Sequence, residues 1–243
     1  MTFLPNFPEG HRRHAHATPA PVEQPGQTLA RAIRIAAGSV VLAGDLVIPA
    51  GATRVVLFAH GSGSSRHSPR NQFVAKVFQS AGMATLLFDL LSVDEEDEDA
   101  IDGHLRFDIG LLARRLAVAA RWTSQQTGTR GLGIGFFGAS TGGAAALVAA
   151  AELGPLVQAV VSRGGRPDLA GKALSSVTAP TLLIVGARDE VVVRLNQEAY
   201  EQLRCEKRLT LVPGATHLFS EPGTLEQVAA LAAGWFAGYL HPA

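Results

Sequence analysis

"GFFGASTGG", Gly135 to Gly143, is the stretch whose reading decides this chain. Upstream, Gly131 to Phe137 is a short apolar run of the kind that forms a buried strand. Downstream, Gly143 to Ala151 is rich in alanine and predicts a helix. Ser140 therefore lies on a tight strand-to-helix turn. A side chain at 138 or 142 would strike the neighbouring strand or helix, so a sharp turn needs small residues there. Such a turn lifts the serine hydroxyl out of the sheet, where a base can reach it.

The rest of the chain alternates regularly around this turn. Ala32 to Ile35 and Val40 to Ile48 read as two strands with a tight connection, which predicts an antiparallel edge. Arg54–Ala59 is a short apolar strand ending at "HGSGSS". Ser68-Pro69 opens a helix, serine as N-cap and proline at the first helical position, and Gly82 closes it. Further strands are expected over 84–90, 131–137, 157–162, 181–185 and 208–212. Helices are expected over 108–125, after Ser140, and over 169–174 and 191–204. A closing helix should begin at Thr224, with Gln227 as its capping-box partner. Apolar strands alternating with amphipathic helices predict a mostly parallel sheet covered on both faces.

Composition removes several classes of function. Lys+Arg and Asp+Glu both number 21, so no basic field draws the chain to nucleic acid or to an anionic membrane. The hydrophobic fraction of 47% supports a large core, and no stretch reaches the length of a membrane span. Cys205 is the sole cysteine, read as a packed thiol near a helix end. Residues 1–28 read as a flexible arm and 29–243 as the folded domain. His11, His14 and His16 in the arm read as part of a solvated tail. A soluble, cytoplasmic protein is expected.

In sheets of this kind the working site collects at the carboxyl ends of the strands. Four such ends carry chemistry: the loop from His60 to Gly63, Ser140, Asp189 in "VGARDEVVV", and His217 in "VPGATHLF". The order Ser140, Asp189, His217 is the order of a serine hydrolase triad built on a G-x-S-x-G turn, here Gly138 to Gly142. Glu190 competes with Asp189 for the acid. His60, His67 and His104 compete with His217, but only His217 follows the last strand. His60 reads as a brace for its loop.

On these residues, together with "HGSGSSRHSPRN", "SRGGRPDLAG" and "GATHLFSEPG", the chain resembles the α/β-hydrolase superfamily on its dienelactone-hydrolase-like branch. It is most similar there to small serine hydrolases sometimes encoded beside or fused to phosphoribosyltransferases. The resemblance runs from Arg31 to the end and implies an α/β-hydrolase fold, a Ser-His-Asp triad and ester hydrolysis. Dienelactone hydrolase proper has cysteine at the turn, so Ser140 is a departure that sets its substrate aside.

The residues predict acyl transfer, with Ser140 attacking a carbonyl, His217 taking its proton and Asp189 orienting the imidazole. Oxyanion donors are expected from the N–H of Thr141 and from the loop after the third strand, Ser62 first and Gly63 next. The chemistry requires neither metal nor organic cofactor. The segment 164–180 has room for one short helix, so no cap domain is expected and the site should be open to small soluble esters. Partners would be limited to the ester substrate, and a binding role beside a phosphoribosyltransferase is the second reading. Arg66, Arg70, Arg163 and Arg166 fall in strand-end loops; the first three are candidate substrate-binding residues for a carboxylate or phosphate. The acidic run Asp94 to Asp99 reads as a solvated loop, with calcium or a basic partner as alternatives.

Overall fold

The structure is a computed structural model and describes residues 27–242. The histidines at 11, 14 and 16, and nearly all of the expected arm, lie outside those residues. A hairpin opens the fold: β1 (Leu29–Ala37) pairs antiparallel with β2 (Val40–Ile48) across a tight turn at Gly38. In the second half of β1, Ile33, Ile35 and Ala37 point inward at every other position, as in a strand with one wet face. β3 (Arg54–Ala59), β4 (Ala84–Phe88), β5 (Gly133–Ala139), β6 (Val157–Arg163) and β7 (Thr181–Gly186) are instead buried almost throughout. Continuous apolar runs are what strands covered on both faces require. β8 (Lys207–Val212) closes the far edge and is mostly half-exposed.

The eight strands lie in the order β1-β2-β4-β3-β5-β6-β7-β8. β2 is antiparallel to both β1 and β4, and every pairing from β4 onward is parallel. The carboxyl ends of β3, β5, β6, β7 and β8 therefore share one edge of the sheet.

Helices cover both faces. α1 (Pro69–Ser80) starts where its signals place it, with the Ser68 hydroxyl accepting from the Asn71 N–H at 3.4 Å. It packs on α6 (Thr224–Tyr239). Between that pair and the sheet lies a cluster of rings: Phe58 and Phe137 are 5.1 Å apart, and Phe78 and Phe236 meet edge-on at 5.5 Å. Such pairs add about 0.5–1.5 kcal/mol each beyond the area they bury. The other face carries α3 (Ile109–Gln125), which the Asp108 carboxylate caps, and α4 (Thr141–Leu153). α5 (Glu190–Gln202) lies beside β7 and β8. Ala144, Ala145, Ala146, Ala149 and Ala150 of α4 are fully buried, and their small side chains let the helix sit close to the sheet. Among the described residues no helix is long and apolar enough to cross a membrane.

Two expectations are corrected. The acidic run is not a loop but α2 (Val93–Asp102). Ser92 and Glu95 form a reciprocal capping box, and Asp94, Glu95 and Glu96 occupy the first turn, where the helix dipole favours negative charge. Asp99 is buried and taken by Arg106 at 2.5 Å, while Glu95 also meets Arg115 at 2.6 Å. The S-x-x-E signature at Ser92 was present, but the density of charge masked it. At α6, Thr224 is not half of a capping box with Gln227: Gly223 holds the cap position, and the Thr224 hydroxyl donates to the Glu221 carbonyl.

Candidate active site

Ser140 is the single residue between β5 and α4, and the turn there leaves it at φ 51°, ψ −122°. A non-glycine residue at positive φ is uncommon and holds local strain. The surroundings fix it. The Ser140 N–H donates to the Arg163 carbonyl at 3.3 Å, and its own carbonyl accepts from the N–H groups of Gly143 and Arg166, both at 3.0 Å. Glycine is obligatory beside it for space: a Cβ on Gly142 would fall 2.6 Å from the His60 carbonyl oxygen, and one on Gly138 2.6 Å from the Gly143 Cα. The turn thus presses α4 against β3, and Ser140 stands at the sheet's carboxyl edge. Thr141 follows as the first residue of α4, so its N–H has no acceptor within the helix.

His217 comes from the loop after β8. Its Nδ1 meets the Asp189 carboxylate at 2.7 Å, and since a carboxylate only accepts, Nδ1 is the nitrogen that carries a proton there. Asp189 stands at the N-cap of α5, where an aspartate ordinarily accepts from the helix's own first N–H groups. It makes no such bond. The carboxylate is turned to the imidazole instead. Glu190, the competing acid, is exposed in the first turn of α5. Glu221, missed in the sequence, braces the His217 loop by accepting from the Thr216 N–H at 3.1 Å and its hydroxyl at 2.6 Å. Ser140 and His217 line one cavity of about 270 Å3 with Gly61, Ser62, Arg70 and Arg163.

A turn serine, an imidazole and the carboxylate it meets thus gather at one strand-end edge. Residues 42–237 match the model of the dienelactone hydrolase family. The chain belongs to that family. It is 60% identical to a dienelactone hydrolase from Anabaena variabilis of known crystal structure, at a TM-score of 0.87 over 88% of this chain and all of that one. The Pyrococcus furiosus esterase shares 18% identity at a TM-score of 0.69, over 87% of this chain and 91% of its own, a likeness of fold alone. A Mycobacterium tuberculosis protein that carries the name phosphoribosyl transferase is 58% identical over 208 residues, 86% of this chain and 46% of the relative. The chain thus spans less than half the length of that relative. Family and fold are those of a hydrolase.

The loop after β3 forms the floor between two lobes. Gly61, Ser62 and Ser64 line both the Ser140 cavity and a neighbour of about 290 Å3, walled by Leu91, Glu96, Asp99 and Arg106. Gly63 faces only the neighbour, so of the two expected donors in this loop Ser62 is the one beside Ser140. The second wall comes from α2, between β4 and α3. The segment 164–180 holds one short 3-10 stretch, Pro167–Ser176, kinked at Gly171.

His60 is buried, and its ring is fully engaged. Nε2 accepts the Leu90 N–H at 3.1 Å, which leaves Nδ1 to donate to the Gly61 carbonyl at 3.0 Å. Burial lowers its pKa from the ordinary histidine value. Because the folded value lies below the unfolded one, the unfolded chain binds the extra proton first as pH falls. Stability should therefore be lost progressively as pH drops below about 6.5, the unfolded value. Melting temperatures across mildly acidic pH should show that slope, and His60→Gln should flatten it. An identical slope in both proteins would assign it to other groups.

The arginines divide. Arg66, a substrate candidate by sequence, has its guanidinium ion-paired with Asp89 and 3.4 Å from Asp45, and it does not line the Ser140 cavity. It ties the β3 loop to the end of β4, and the substrate role is withdrawn. Arg166 is paired side-on with Asp168 through two bonds of 2.9 and 2.8 Å. Arg70 and Arg163 do line the cavity. Arg163, the last residue of β6, is 7% exposed, donates to the Asn71 side chain at 3.4 Å and lies over the Phe219 ring at 5.8 Å. No local signal in the sequence marked Asn71 or Phe219, because both reach Arg163 from distant elements.

Proposed function

We propose that this protein is a serine hydrolase of small carboxylic esters. The observation that carries the reading is the Asp189 carboxylate, which leaves the helix end it could cap and holds His217 at 2.7 Å, in the cavity that Ser140 lines. A helix-capping aspartate with a purely structural task would keep its cap.

In the proposed reaction the neutral His217 Nε2 takes the Ser140 proton as the oxygen attacks the ester carbonyl. Negative charge gathers on the carbonyl oxygen and is met by the Thr141 N–H, aimed along the N-terminus of α4, and by the Ser62 N–H. Imidazolium, steadied by Asp189, returns the proton to the departing alcohol. Water then attacks the acyl-serine by the same route in reverse, releasing the acid. Each step uses side chains, backbone amides and water.

Acyl size is tested with p-nitrophenyl esters from acetate to laurate. Each methylene is worth about 0.8 kcal/mol only where a pocket buries it. A cavity of about 270 Å3 with polar walls receives few, so kcat/KM should peak at short chains and fall for long ones. An efficient long-chain esterase would overturn the small-ester reading, and no turnover of any ester, thioester or lactone would overturn the hydrolase reading. A second reading makes the chain a binding partner of a phosphoribosyltransferase, favoured by the name of the M. tuberculosis relative and the chain's spanning 46% of it. Ester turnover dependent on Ser140 would decide against binding as the whole task.

A further inference from the structure

Arg70 and Arg163 make the Ser140 cavity electrically unbalanced. Arg163 is all but removed from water, its Nε has no acceptor, and its one side-chain partner is the neutral Asn71. Arg70, in the first turn of α1, also has a buried Nε without an acceptor. Among the described residues no carboxylate forms an ion pair with either guanidinium. Burial, with the charge of Arg70 added, pulls the Arg163 pKa down to about 10, which still leaves that guanidinium charged near neutral pH. Two like charges, one of them largely buried, are costly to keep without a counter-charge. Paired arginines elsewhere in this chain, Arg66, Arg106, Arg115 and Arg166, each have an acid. These two do not, and both line the cavity that Ser140 lines.

The rest of the wall selects the kind of anion. Ser62, Ser64 and Ser68 add hydroxyls to the two guanidinium groups on the same lobe. Across the shared floor the other lobe bears Glu96 and an Asp99 already paired with Arg106, so it offers an anion no unpaired cation. One carboxylate would balance one guanidinium. A phosphoryl dianion balances both, and its three oxygens accept from two planar forks and neighbouring hydroxyls together.

We propose that the Arg70–Arg163 lobe binds a phosphate or phosphonate dianion carried by the substrate, a few bonds from the scissile carbonyl, so that the enzyme selects phosphorylated carboxylic esters. The inference rests on the ester-hydrolase reading. The acyl C–O bond breaks, water supplies hydroxyl to the acid and a proton to the alcohol, and the phosphoryl group leaves unchanged. Glu96 and the Asp99–Arg106 pair then face the uncharged end of the substrate.

The test compares three p-nitrophenyl esters on the full chain at constant ionic strength: β-phosphonopropionate, hemisuccinate and pentanoate. The phosphonate should exceed the pentanoate in kcat/KM by at least about tenfold, mainly through KM, with the hemisuccinate between them. Arg70→Gln should collapse the phosphonate-to-pentanoate ratio, and Arg70→Lys should restore part of it. Inorganic phosphate should compete with p-nitrophenyl acetate and raise the melting temperature of the native protein more than that of Arg70→Gln. Equal rates on phosphonate and pentanoate, or a phosphate effect that Arg70→Gln leaves intact, would overturn the anion site while leaving the esterase standing. A hemisuccinate ahead of the phosphonate would overturn the dianion. If no ester turns over, the esterase reading fails, and the phosphate shift alone decides whether the lobe binds the dianion.

Discussion

Ser140→Ala should cut kcat/KM for a p-nitrophenyl ester by at least about a thousandfold while the protein folds as before. Alanine keeps the Cβ, so the strained turn at φ 51° and its three backbone hydrogen bonds gain nothing and lose nothing. The Gly138 and Gly142 contacts that press α4 to the sheet are untouched. Only the hydroxyl goes. Any residual rate would come from the oxyanion donors acting on bound ester and water. Melting temperature measured beside the kinetics separates lost chemistry from lost fold. Retention of more than about a tenth of the activity would remove Ser140 as nucleophile.

Asp189→Asn should lower the rate by about ten-thousandfold, because it changes which ring nitrogen holds the proton. The carboxylate at 2.7 Å accepts from Nδ1 and leaves the Nε2 lone pair for the serine. An asparagine amide facing that nitrogen donates, moves the ring proton to Nε2, and presents the serine with a donor where a base is needed. Stability should change little, since the Asp189 side chain does not cap α5. The exposed Glu190→Gln is the matched control and should leave the rate unchanged. If Glu190→Gln and Asp189→Asn fell together, the loss would belong to the α5 terminus and not to the imidazole.

Much of this site was legible in the linear chain because its parts obey local rules. The turn from Gly138 to Gly142 needs glycine on both sides of a strained serine, and a parallel α/β sheet sends every strand end to one edge. Ser140, Asp189 and His217 follow β5, β7 and β8, so strand order alone predicts their approach. The Ser68-Pro69 start of α1 and the Asp108 start of α3 are likewise set by side chains bonding within three residues. What stayed hidden depends on partners far away in sequence. Arg66, Arg70 and Arg163 look alike in the chain. Only folding gives the first Asp89, 23 residues on, and leaves the third buried against Asn71 and Phe219 with no acid paired to it among the described residues. Of the two adjacent acids the sequence favours Asp189, and in the fold it is Asp189 whose carboxylate meets the imidazole while Glu190 is exposed. Hydrogen-bond geometry within a few residues is written in the sequence; the pairing or abandonment of a buried charge is settled by which elements the core packs together.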